Sequence, residues 1–350
     1  MKKIAIALIV AMFMVSLAAC GNSSNNPAGG EETSNAAGKT YTMKLTNVVA
    51  DDDPLTEGYY FLKEILEERT NGVIKVEIFN NKQLANGDRE QAEMVQQNMV
   101  QMCTTPSFIL AALSTELNEY FIYDYPYMFE TNEELYEFSD GELGQEMAQE
   151  LLDVTGIRTY GGFNLGWVKI SSNSKPIMTP DDIKGLKIRT SSSDIYVDML
   201  KRFGISPTPI SYGELFTALQ QKTVDGMMTS TGLYASDRFY EVQKYMGCMN
   251  PYSIFHHTII NESWRLSLPE DIREIFDECM WEYQDWIRNR TEEYELESIE
   301  FLREQGMDVQ EYTEEQLQAF KDIALPTWEA QKGVVGEEFF DRAVEFLGKA

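Results

Sequence analysis

Histidine and cysteine are scarce in this sequence, which limits the chemistry it can support. Only two histidines occur, His256 and His257, and adjacent side chains cannot share one face of a strand or helix. We therefore expect no metal-dependent catalysis. Cys20 lies near the N-terminus. The later cysteines are odd in number and lack the spacing of a disulfide framework or a zinc site: Cys103, Cys248 and Cys279.

Positive charge is also scarce. The 350-residue chain has 29 Lys and Arg residues against 57 Asp and Glu residues, a net charge of −28. Such an acidic chain is repelled by nucleic acids and by anionic lipid headgroups. We expect no nucleic-acid partner, and a soluble surface suited to the outside of a cell.

Long apolar runs are absent except at the N-terminus. Lys2 and Lys3 precede an apolar run at residues 4–17, which is too short to span a bilayer comfortably and predicts a secretory signal. The letters LAAC at its end resemble a bacterial lipobox. We therefore predict a lipoprotein signal peptide at residues 1–20, with a diacylglycerol on Cys20.

An ordinary signal peptide, cut near Ala18 or Ala19, is the alternative and would leave Cys20 unmodified. Residues 21–40 are rich in Asn, Ser, Gly and Ala and have no apolar period, so they are predicted to be a flexible linker. A linker of this kind suits an anchored protein. The predicted location is the extracytoplasmic face of the cell membrane, lipid-anchored, or the periplasm.

Strand and helix patterns alternate along the rest of the chain, which predicts an α/β fold. The letters YTMKLTNVV alternate as a strand, and the helical pattern that follows stops at Asn71 and Gly72. Another helix is predicted to begin at Ser193 and to end at Gly204. Ser211 and Glu214 have the spacing of a capping box. The chain is long enough for two lobes, each with its own core.

The longest periodic segment runs from residue 268 to about 305, with no glycine and with proline only at Pro269. Ser267 and Glu270 have capping-box spacing at its start. It predicts a helix of roughly 50 Å, longer than one small lobe is wide, which should bridge both lobes. A coiled-coil dimer is the alternative, but the apolar stripe is aromatic and irregular rather than heptad-like.

Two stretches, 92–107 and 216–231, align without a gap. Each contains a helix ending in Gln-Gln, a short turn, a strand, and then small hydroxyl residues. We interpret them as equivalent parts of two similar lobes. Ligands of open α/β sheets bind beyond the carboxyl ends of strands, so two such ends that face each other would form a cleft.

Catalytic patterns are missing. The sequence has no G-x-S-x-G and no phosphate-binding glycine loop. Residues 172–175 (SNSK) fit the S-x-x-K of penicillin-recognising enzymes, but the partner motifs of that class are lacking. Because 57 residues are acidic, pairs of carboxylates are common in this sequence and carry no information about glycosidase chemistry. We expect neither an enzyme nor a cofactor.

Binding residues are easier to propose. In the strand LKIRT, Lys187 and Arg189 point to one face, and a guanidinium near a strand end suits a carboxylate, with which it forms two parallel hydrogen bonds. A surface arginine paired with one of the many acids is the alternative. The aromatic residues Trp167, Tyr212 and Phe255 belong either to this cleft or to the core.

The stretch PDDIKGLKIRT…FGISPTPISYGELFTALQQKTVDGMMTS resembles the solute receptors of tripartite ATP-independent periplasmic (TRAP) transporters, of the dicarboxylate-receptor type. The segments NGVIKVEIFNNKQLANGDRE and DYPYMF resemble the amino-terminal half of the same family. The resemblance implies a two-lobe periplasmic-binding-protein-like fold with hinge strands and a long bridging helix. Residues 41–165 with about 254–288 would form lobe 1, and residues 166–253 with about 289–350 lobe 2.

The same resemblance implies the site. Arg189 would hold the ligand carboxylate, and the aromatic side chain of Tyr212 would cover the ligand. Other positions implied to line the cleft are Asp88, Thr105, Ser107, Thr229 and Ser230. Many relatives carry a second arginine in a G-F-R segment. Here Trp167 takes the aromatic place and Val168 the place of that arginine, so a monocarboxylate with an apolar or aromatic body is expected over a C4-dicarboxylate.

The implied function is a receptor that closes on a small organic acid and delivers it to the membrane permease subunits of a TRAP transporter. Two alternatives remain at this stage. The same fold can serve as a ligand-binding sensor of a signalling partner, and the chain can be an exported hydrolase.

Overall fold

The computed structural model describes residues 39–191 and 193–349. The predicted signal peptide, Cys20 and residues 21–38 of the predicted linker lie outside the described residues. Within the two described ranges, no helix is both long enough and apolar enough to cross a membrane.

Ten strands form in this part of the chain, with the following bounds: β1 Tyr41–Thr46, β2 Ile74–Phe79, β3 Met102–Pro106, β4 Ile157–Ser172, β5 Lys187–Thr190, β6 Ser206–Pro209, β7 Gly226–Ser230, β8 Tyr245–Gly247, β9 Ser253–Asn261 and β10 Asp308–Gln310. The helices of the same ranges are α1 Pro54–Arg69, α2 Asp88–Gln96, α3 Ser107–Ala111, α4 Asn132–Asp140, α5 Glu142–Thr155, α6 Asp194–Arg202, α7 Leu215–Gln220, α8 Thr231–Ser236, α9 Glu262–Leu266, α10 Glu270–Glu304, α11 Glu314–Ala324, α12 Thr327–Gln331 and α13 Glu337–Phe346. Four short 3₁₀ segments also occur, at Thr115–Asp124, Pro180–Ile183, Tyr212–Glu214 and Phe239–Glu241.

The strands form two groups of like build. The order along the sheet is β2-β1-β3-β9-β4-β7-β5-β6, while β8 and β10 lie off this path. Parallel strands make up each end, β2-β1-β3 on one side and β7-β5-β6 on the other. The antiparallel strands β9 and β4 join the two groups. This is the predicted mixed α/β fold of two lobes connected by crossing strands.

Strand β4 is irregular where it passes between the two groups. Its pairing with β9 shifts register twice, once between Thr159 and Gly162 and again between Asn164 and Trp167. Gly166 has a φ of +135°, and a Cβ there would lie 2.6 Å from the Cβ of Ser230. Because β7 approaches so closely, this position requires glycine.

The long helix is confirmed. Helix α10 has 35 residues and packs against α1 and β4 as well as α8 and β10, so it contacts elements of both groups. The capping box predicted at its start is wrong, because the residue before the helix is Pro269. The Ser267 hydroxyl instead donates to the carbonyl of Trp264 at 2.6 Å, at the end of α9.

Several predicted helix ends are also confirmed. Helix α1 ends at Arg69 and is followed by Asn71 and Gly72, both with positive φ. Gly204, just after α6, has a φ of +73°. At the other predicted capping box, the Ser211 hydroxyl donates to the Glu214 carboxylate instead of accepting from a backbone N–H, so the box does not form where the segment begins as a 3₁₀ turn.

The internal similarity is confirmed in detail. Helix α2 and strand β3 correspond to α7 and β7. The turns between them carry Asn98 and Lys222 at equivalent positions, with φ of 57° in both. Their backbone hydrogen bonds also match, from Asn98 to Val95 and from Lys222 to Leu219, each 3.0 Å long. The two turns therefore lead into β3 and β7 with the same backbone conformation.

The described residues contain four buried apolar clusters. One contains Phe138 and Tyr125, and the last helix adds Phe340 to it. Another contains Phe203 of the segment after α6, together with Phe320 of α11. The residue bounds of the two lobes given above stay a prediction.

Candidate ligand-binding site

A small cavity of about 90 Å³ lies where the two equivalent strand ends meet. Pro106 and Ser107, at the end of β3, line it from one side. Met228 and Thr229 of β7 line it from the other. The carboxyl ends of strands from both groups therefore face one space, as the internal similarity predicts.

Seven of the ten predicted binding residues line this cavity. They come from β4, β5, β7, β9, the segments after β3 and before α7, and the start of α2: Asp88, Ser107, Val168, Arg189, Tyr212, Thr229 and Phe255. Their placement brings together side chains that are up to 167 positions apart in the numbering, from 88 to 255. Their role as ligand contacts stays a prediction.

Thr105, Trp167 and Ser230 are not among the residues that line the cavity. Successive side chains of a strand point to opposite faces, so Trp167 turns away while its neighbour Val168 faces the cavity. Trp167 packs against the buried cluster around Phe138, and its backbone N–H donates to the carboxylate of Glu295. Ser230 lies opposite Val168 across β4 and β7, beside Gly166.

The alternation of side chains along a strand also explains the position of Thr105 on β3. It pairs with His257 of β9 and is fully buried. The next residue, Pro106, takes the position at the cavity wall. Predicting which of these neighbours faces the cavity requires the register of the strand, which the residue types alone do not supply.

Arg189 is the key cation of the cavity. It is 7 % exposed, and its Nε donates to the carbonyl of Ile210 at 2.9 Å. No carboxylate of the described ranges forms an ion pair with it, and the Tyr212 ring lies 5.9 Å from its Cζ. Burial lowers the pKa of the guanidinium, which nevertheless stays charged because the ordinary pKa is very high. A buried cation that is held in place and forms no ion pair is suited to bind an anion.

An acidic side chain and an aromatic ring of the site act on this arginine. Asp88 is the first residue of α2, and loss of solvent raises its pKa to about 6, although the charge of Arg189 opposes that rise. The Tyr212 hydroxyl donates to the carboxylate of Asp237, which fixes the ring. The ring of Tyr212 and the guanidinium of Arg189 are therefore held in place by separate contacts.

Sequence reasoning missed an acidic residue, Asp124, and three aromatic ones at the cavity, Phe108, Tyr196 and Tyr252. Asp124, at the end of the 3₁₀ segment after α3, lines it and accepts a hydrogen bond of 2.5 Å from the Tyr196 hydroxyl. The Tyr196 ring stacks on Tyr252, with centroids 4.0 Å apart. The available signal was an aspartate within the aromatic segment FIYDYPYMF, residues 121–129.

The two histidines lie next to the same cavity but face different ways. His256 lines it, while His257 lies behind Ser107, whose hydroxyl is 3.1 Å from His257 Nε2. Burial lowers the pKa of both imidazoles to about 3, so both are neutral at physiological pH. In the described ranges, no group of three or more His, Cys, Asp or Glu side chains could hold a metal ion.

Residues 45–333 match the profile of the family "Bacterial extracellular solute-binding protein, family 7". The match includes every strand of the sheet except the first four residues of β1. The chain belongs to this family. Family 7 proteins are solute-binding receptors of TRAP transport and not enzymes, so the exported hydrolase is excluded. They act on the extracytoplasmic side of the membrane.

Relatives of family 7 extend over most of the chain. The C4-dicarboxylate-binding periplasmic protein DctP of Rhodobacter capsulatus is 28 % identical over 304 residues, which is 87 % of this chain and 90 % of that protein. The C4-dicarboxylate-binding protein DctB of Bacillus subtilis is 26 % identical over 305 residues, 87 % of this chain and 85 % of that protein.

Solved structures agree on the fold of this family 7 member. The sugar acid binding protein of Advenella mimigardefordensis, in complex with galactonate, has a TM-score of 0.83 at 23 % identity and covers 89 % of this chain and 99 % of its own. A TRAP periplasmic solute-binding protein of Shewanella oneidensis, with bound succinate, has a TM-score of 0.81 at 25 % identity and covers 88 % of this chain and 99 % of its own. The two-lobe architecture is thus shared along almost the whole described chain.

Proposed function

We propose that this protein is a lipid-anchored receptor that binds a small organic acid and delivers it to the permease subunits of a TRAP transporter. The observation that carries the proposal is Arg189, a buried guanidinium that faces the cavity and has no ion pair in the described ranges. A ligand carboxylate supplies the missing counter-ion. Charge-assisted hydrogen bonds to a buried guanidinium are among the stronger contacts in proteins.

The ligands of related proteins support a carboxylate. The Shewanella protein holds succinate and the Advenella protein holds galactonate, and both ligands carry carboxylate groups. These ligands differ in length, in hydroxyl content and in the number of acid groups. The carboxylate is their common feature, and Arg189 is the cationic side chain that the described cavity wall offers.

The cavity favours one carboxylate per ligand over two. Val168 faces it where a second cation is expected in many relatives. Lys169 follows directly on β4, but it does not line the cavity, and its Nζ lies 2.5 Å from the Glu295 carboxylate. A second carboxylate would therefore lack a cationic partner in the described cavity wall, which carries the acids Asp88 and Asp124. A monocarboxylate with an apolar body suits these walls better.

The test is binding by Arg189→Met, which removes the charge and keeps the length of the side chain. Organic acids that raise the melting temperature of the wild type are titrated by calorimetry. The variant should lose about 2–5 kcal/mol of binding free energy, as for a broken buried charge pair. Lys187→Met is the matched control, because Lys187 lies on the same strand but is exposed. Normal binding by Arg189→Met would refute the site.

The same titrations decide the number of carboxylates. Succinate and butyrate have the same four-carbon chain and differ in one acid group. We expect monocarboxylates to bind more tightly than their dicarboxylate counterparts. Dicarboxylates that bind as tightly as any monocarboxylate would contradict this part of the proposal.

The anchor and the delivery step need separate experiments, because Cys20 lies outside the described residues. Cys20→Ser should move the protein from the membrane fraction to the soluble fraction and abolish labelling by a radioactive fatty acid. Unchanged fractionation would favour the ordinary signal peptide. Delivery is tested by uptake of the bound acid into vesicles that contain the permease, with and without the receptor.

A further inference from the structure

Asp124 is a buried acid of the cavity wall to which neither the family nor the function proposed above assigns a role. It is the last residue of the 3₁₀ segment Thr115–Asp124, and it is 2 % exposed. The two residues that follow, Tyr125 and Pro126, continue an apolar stretch. An acidic side chain in such a position requires a polar partner, because a buried unpaired carboxylate is costly.

The two carboxylate oxygens of Asp124 have different surroundings. Oδ1 accepts a hydrogen bond of 2.5 Å from the hydroxyl of Tyr196. Oδ2 is buried and has no hydrogen-bond partner of good geometry in the described ranges. Burial raises the pKa of the carboxyl group to about 7, and the hydroxyls of Tyr196 and Ser193 oppose that rise. The Tyr196 ring stacks on Tyr252 at 4.0 Å with an interplanar angle of 12°, so the hydroxyl that holds Oδ1 is itself fixed. Asp124 therefore lines the cavity with one oxygen bound to Tyr196 and one without a hydrogen bond, while the Ser193 hydroxyl that acts on the same carboxyl group also lacks a partner in the described ranges.

Asp124 and the cation of Arg189 line the same cavity. Asp124, Arg189 and Tyr252 all line the cavity. Burial raises the pKa of Tyr252, and the charges of Asp124 and Arg189 act on that hydroxyl in opposite directions, so both charges lie near the same ring. A small molecule held by Arg189 therefore occupies the cavity that Asp124 also lines.

We propose that Asp124 Oδ2 accepts a hydrogen bond from a donor group of the bound acid, a hydroxyl or an ammonium on a carbon other than the carboxyl carbon. This inference rests on the proposed function, because it assumes that Arg189 holds the carboxylate. It names the ligand class as hydroxy acids or amino acids and places unsubstituted acids among the weak ligands. Asp124 is then a residue that determines specificity.

A purely structural role for Asp124 makes a different prediction. Its hydrogen bond to Tyr196 joins the segment before Tyr125 to helix α6, two elements from opposite ends of the sheet. If this bond only helps to close the cavity, its loss weakens every ligand by the same factor. Recognition of a donor instead changes the ratio between ligands that have the donor and ligands that lack it.

The experiment measures this ratio by calorimetry with the mature protein. The probes are butyrate and 3-phenylpropionate, each with its hydroxy and amino derivatives at every available position. In the wild type, at least one derivative should bind about tenfold or more tightly than its parent acid, as for a hydrogen bond to a charged group. In Asp124→Ala this preference should disappear.

Two further variants keep the test decisive. Tyr196→Phe removes the contact to Oδ1 and leaves Oδ2 in place, so it should weaken all probes and keep the preference. Asp124→Asn keeps an acceptor without the charge. A preferred ammonium compound should lose about tenfold in affinity or more in this variant, whereas a preferred hydroxy acid should lose less. Thermal melting confirms that each variant is folded.

Three outcomes overturn the inference. They are parent acids that bind as tightly as all their derivatives, an equal loss for all probes in Asp124→Ala, and no binding by any probe. Failure of the proposed function is distinguishable, because Arg189→Met would then bind the probes as the wild type does. If Arg189→Met loses binding while Asp124→Ala keeps the preference, only the role of Asp124 is wrong.

Discussion

Two buried cations of this protein lie in opposite electrostatic surroundings. Lys169 on β4 is 3 % exposed, and its Nζ lies 2.5 Å from Glu295 of α10 and 3.0 Å from the carbonyl of Trp167. Arg189 on β5 is 7 % exposed and donates to a carbonyl, but it has no carboxylate partner among the described residues. One cation is satisfied within the fold, and the other is left for a ligand.

The difference separates structure from function by a physical criterion. Both charges lose their hydration on folding, and a buried ion is tolerated only when it is paired. At Lys169 the pairing ties β4 to the long helix, near the place where β4 crosses between the two groups of strands. At Arg189 the unpaired charge is kept because an anion enters from outside. Burial alone would not distinguish the two residues.

The largest effect is expected from Lys169→Met, which removes one charge of the buried pair. Glu295 would then be left unpaired, with only the backbone N–H of Trp167 as a donor. The free energy of unfolding should fall by about 3–5 kcal/mol. Urea denaturation followed by circular dichroism measures this change.

The double variant Lys169→Met with Glu295→Gln is the control for this prediction. It removes both charges, so it should recover part of the loss, and the thermodynamic cycle then gives the coupling between the two groups. If Lys169→Met is as stable as the wild type, the pair does not fix the crossing of β4. Lys169 would then no longer be an example of a buried cation that is paired to stabilise the fold, as opposed to Arg189.

Arg189→Met should behave in the opposite way. Without ligand, its free energy of unfolding should equal that of the wild type or exceed it, because an unpaired buried charge is removed. A bound organic acid at about 100 times its dissociation constant stabilises the wild type by about 2.7 kcal/mol, and this gain should vanish in the variant. Thermal melting without the acid measures the stability of the ligand-free variant, and melting with the acid measures the gain in stability on binding.

A loss of several kcal/mol in ligand-free Arg189→Met would contradict the comparison. It would mean that the guanidinium supports the fold through contacts such as the one with the carbonyl of Ile210. In that case the missing counter-ion would not indicate a binding site.

A buried anion offers a test with the sign of the charge reversed. Asp53 is 1 % exposed and caps α1 through a 2.9 Å hydrogen bond from the N–H of Leu55. Burial raises its pKa to about 7, with a smaller contribution from the nearby charge of Asp237. The folded protein therefore keeps a proton that the unfolded chain releases near pH 4. This contribution to stability is present at low pH and is lost as the pH rises through about 7.

Asp53→Asn should accordingly stabilise the protein most at pH 8 and clearly less at pH 5, where the folded protein still keeps the proton but the unfolded chain has released it. Asparagine caps helices as well as aspartate does, so the cap is kept while the charge is removed. The gain at pH 8 should be about 1 kcal/mol or more. Urea denaturation at the two pH values measures it. An equal change at both values would show that the charge of Asp53 is not the cause.

The sequence allowed prediction of those parts of the site that depend on local pattern. The repeated helix-turn-strand unit predicted two strand ends facing each other, and the structure places Ser107 and Thr229 there. Arg189 was predicted from the alternation of a single strand. The long helix followed from a stretch without glycine. Each of these features is encoded in consecutive residues, so the pattern was sufficient.

The remaining features depend on register and on distant contacts. Whether Trp167 or Val168 faces the cavity is decided by how β4 pairs with β7 across an irregular stretch. Asp124 and Tyr196 meet from segments 72 residues apart. The capping box at Ser267 failed because a neighbouring helix end uses that hydroxyl. None of these contacts has a signal in the local spacing of residue types.

The smallest effect is expected from an ion pair with good geometry on the surface. Arg342 of α13 donates to both carboxylate oxygens of Glu146 at 2.8 Å, but the two side chains are 43 % and 46 % exposed. Because both charges keep much of their hydration, Arg342→Ala should change the free energy of unfolding by less than about 1 kcal/mol. Urea denaturation of Arg342→Ala and of Lys169→Met under the same conditions compares their losses in free energy of unfolding directly. A loss as large as that of Lys169→Met would show that contact geometry, and not burial, decides how much an ion pair contributes here.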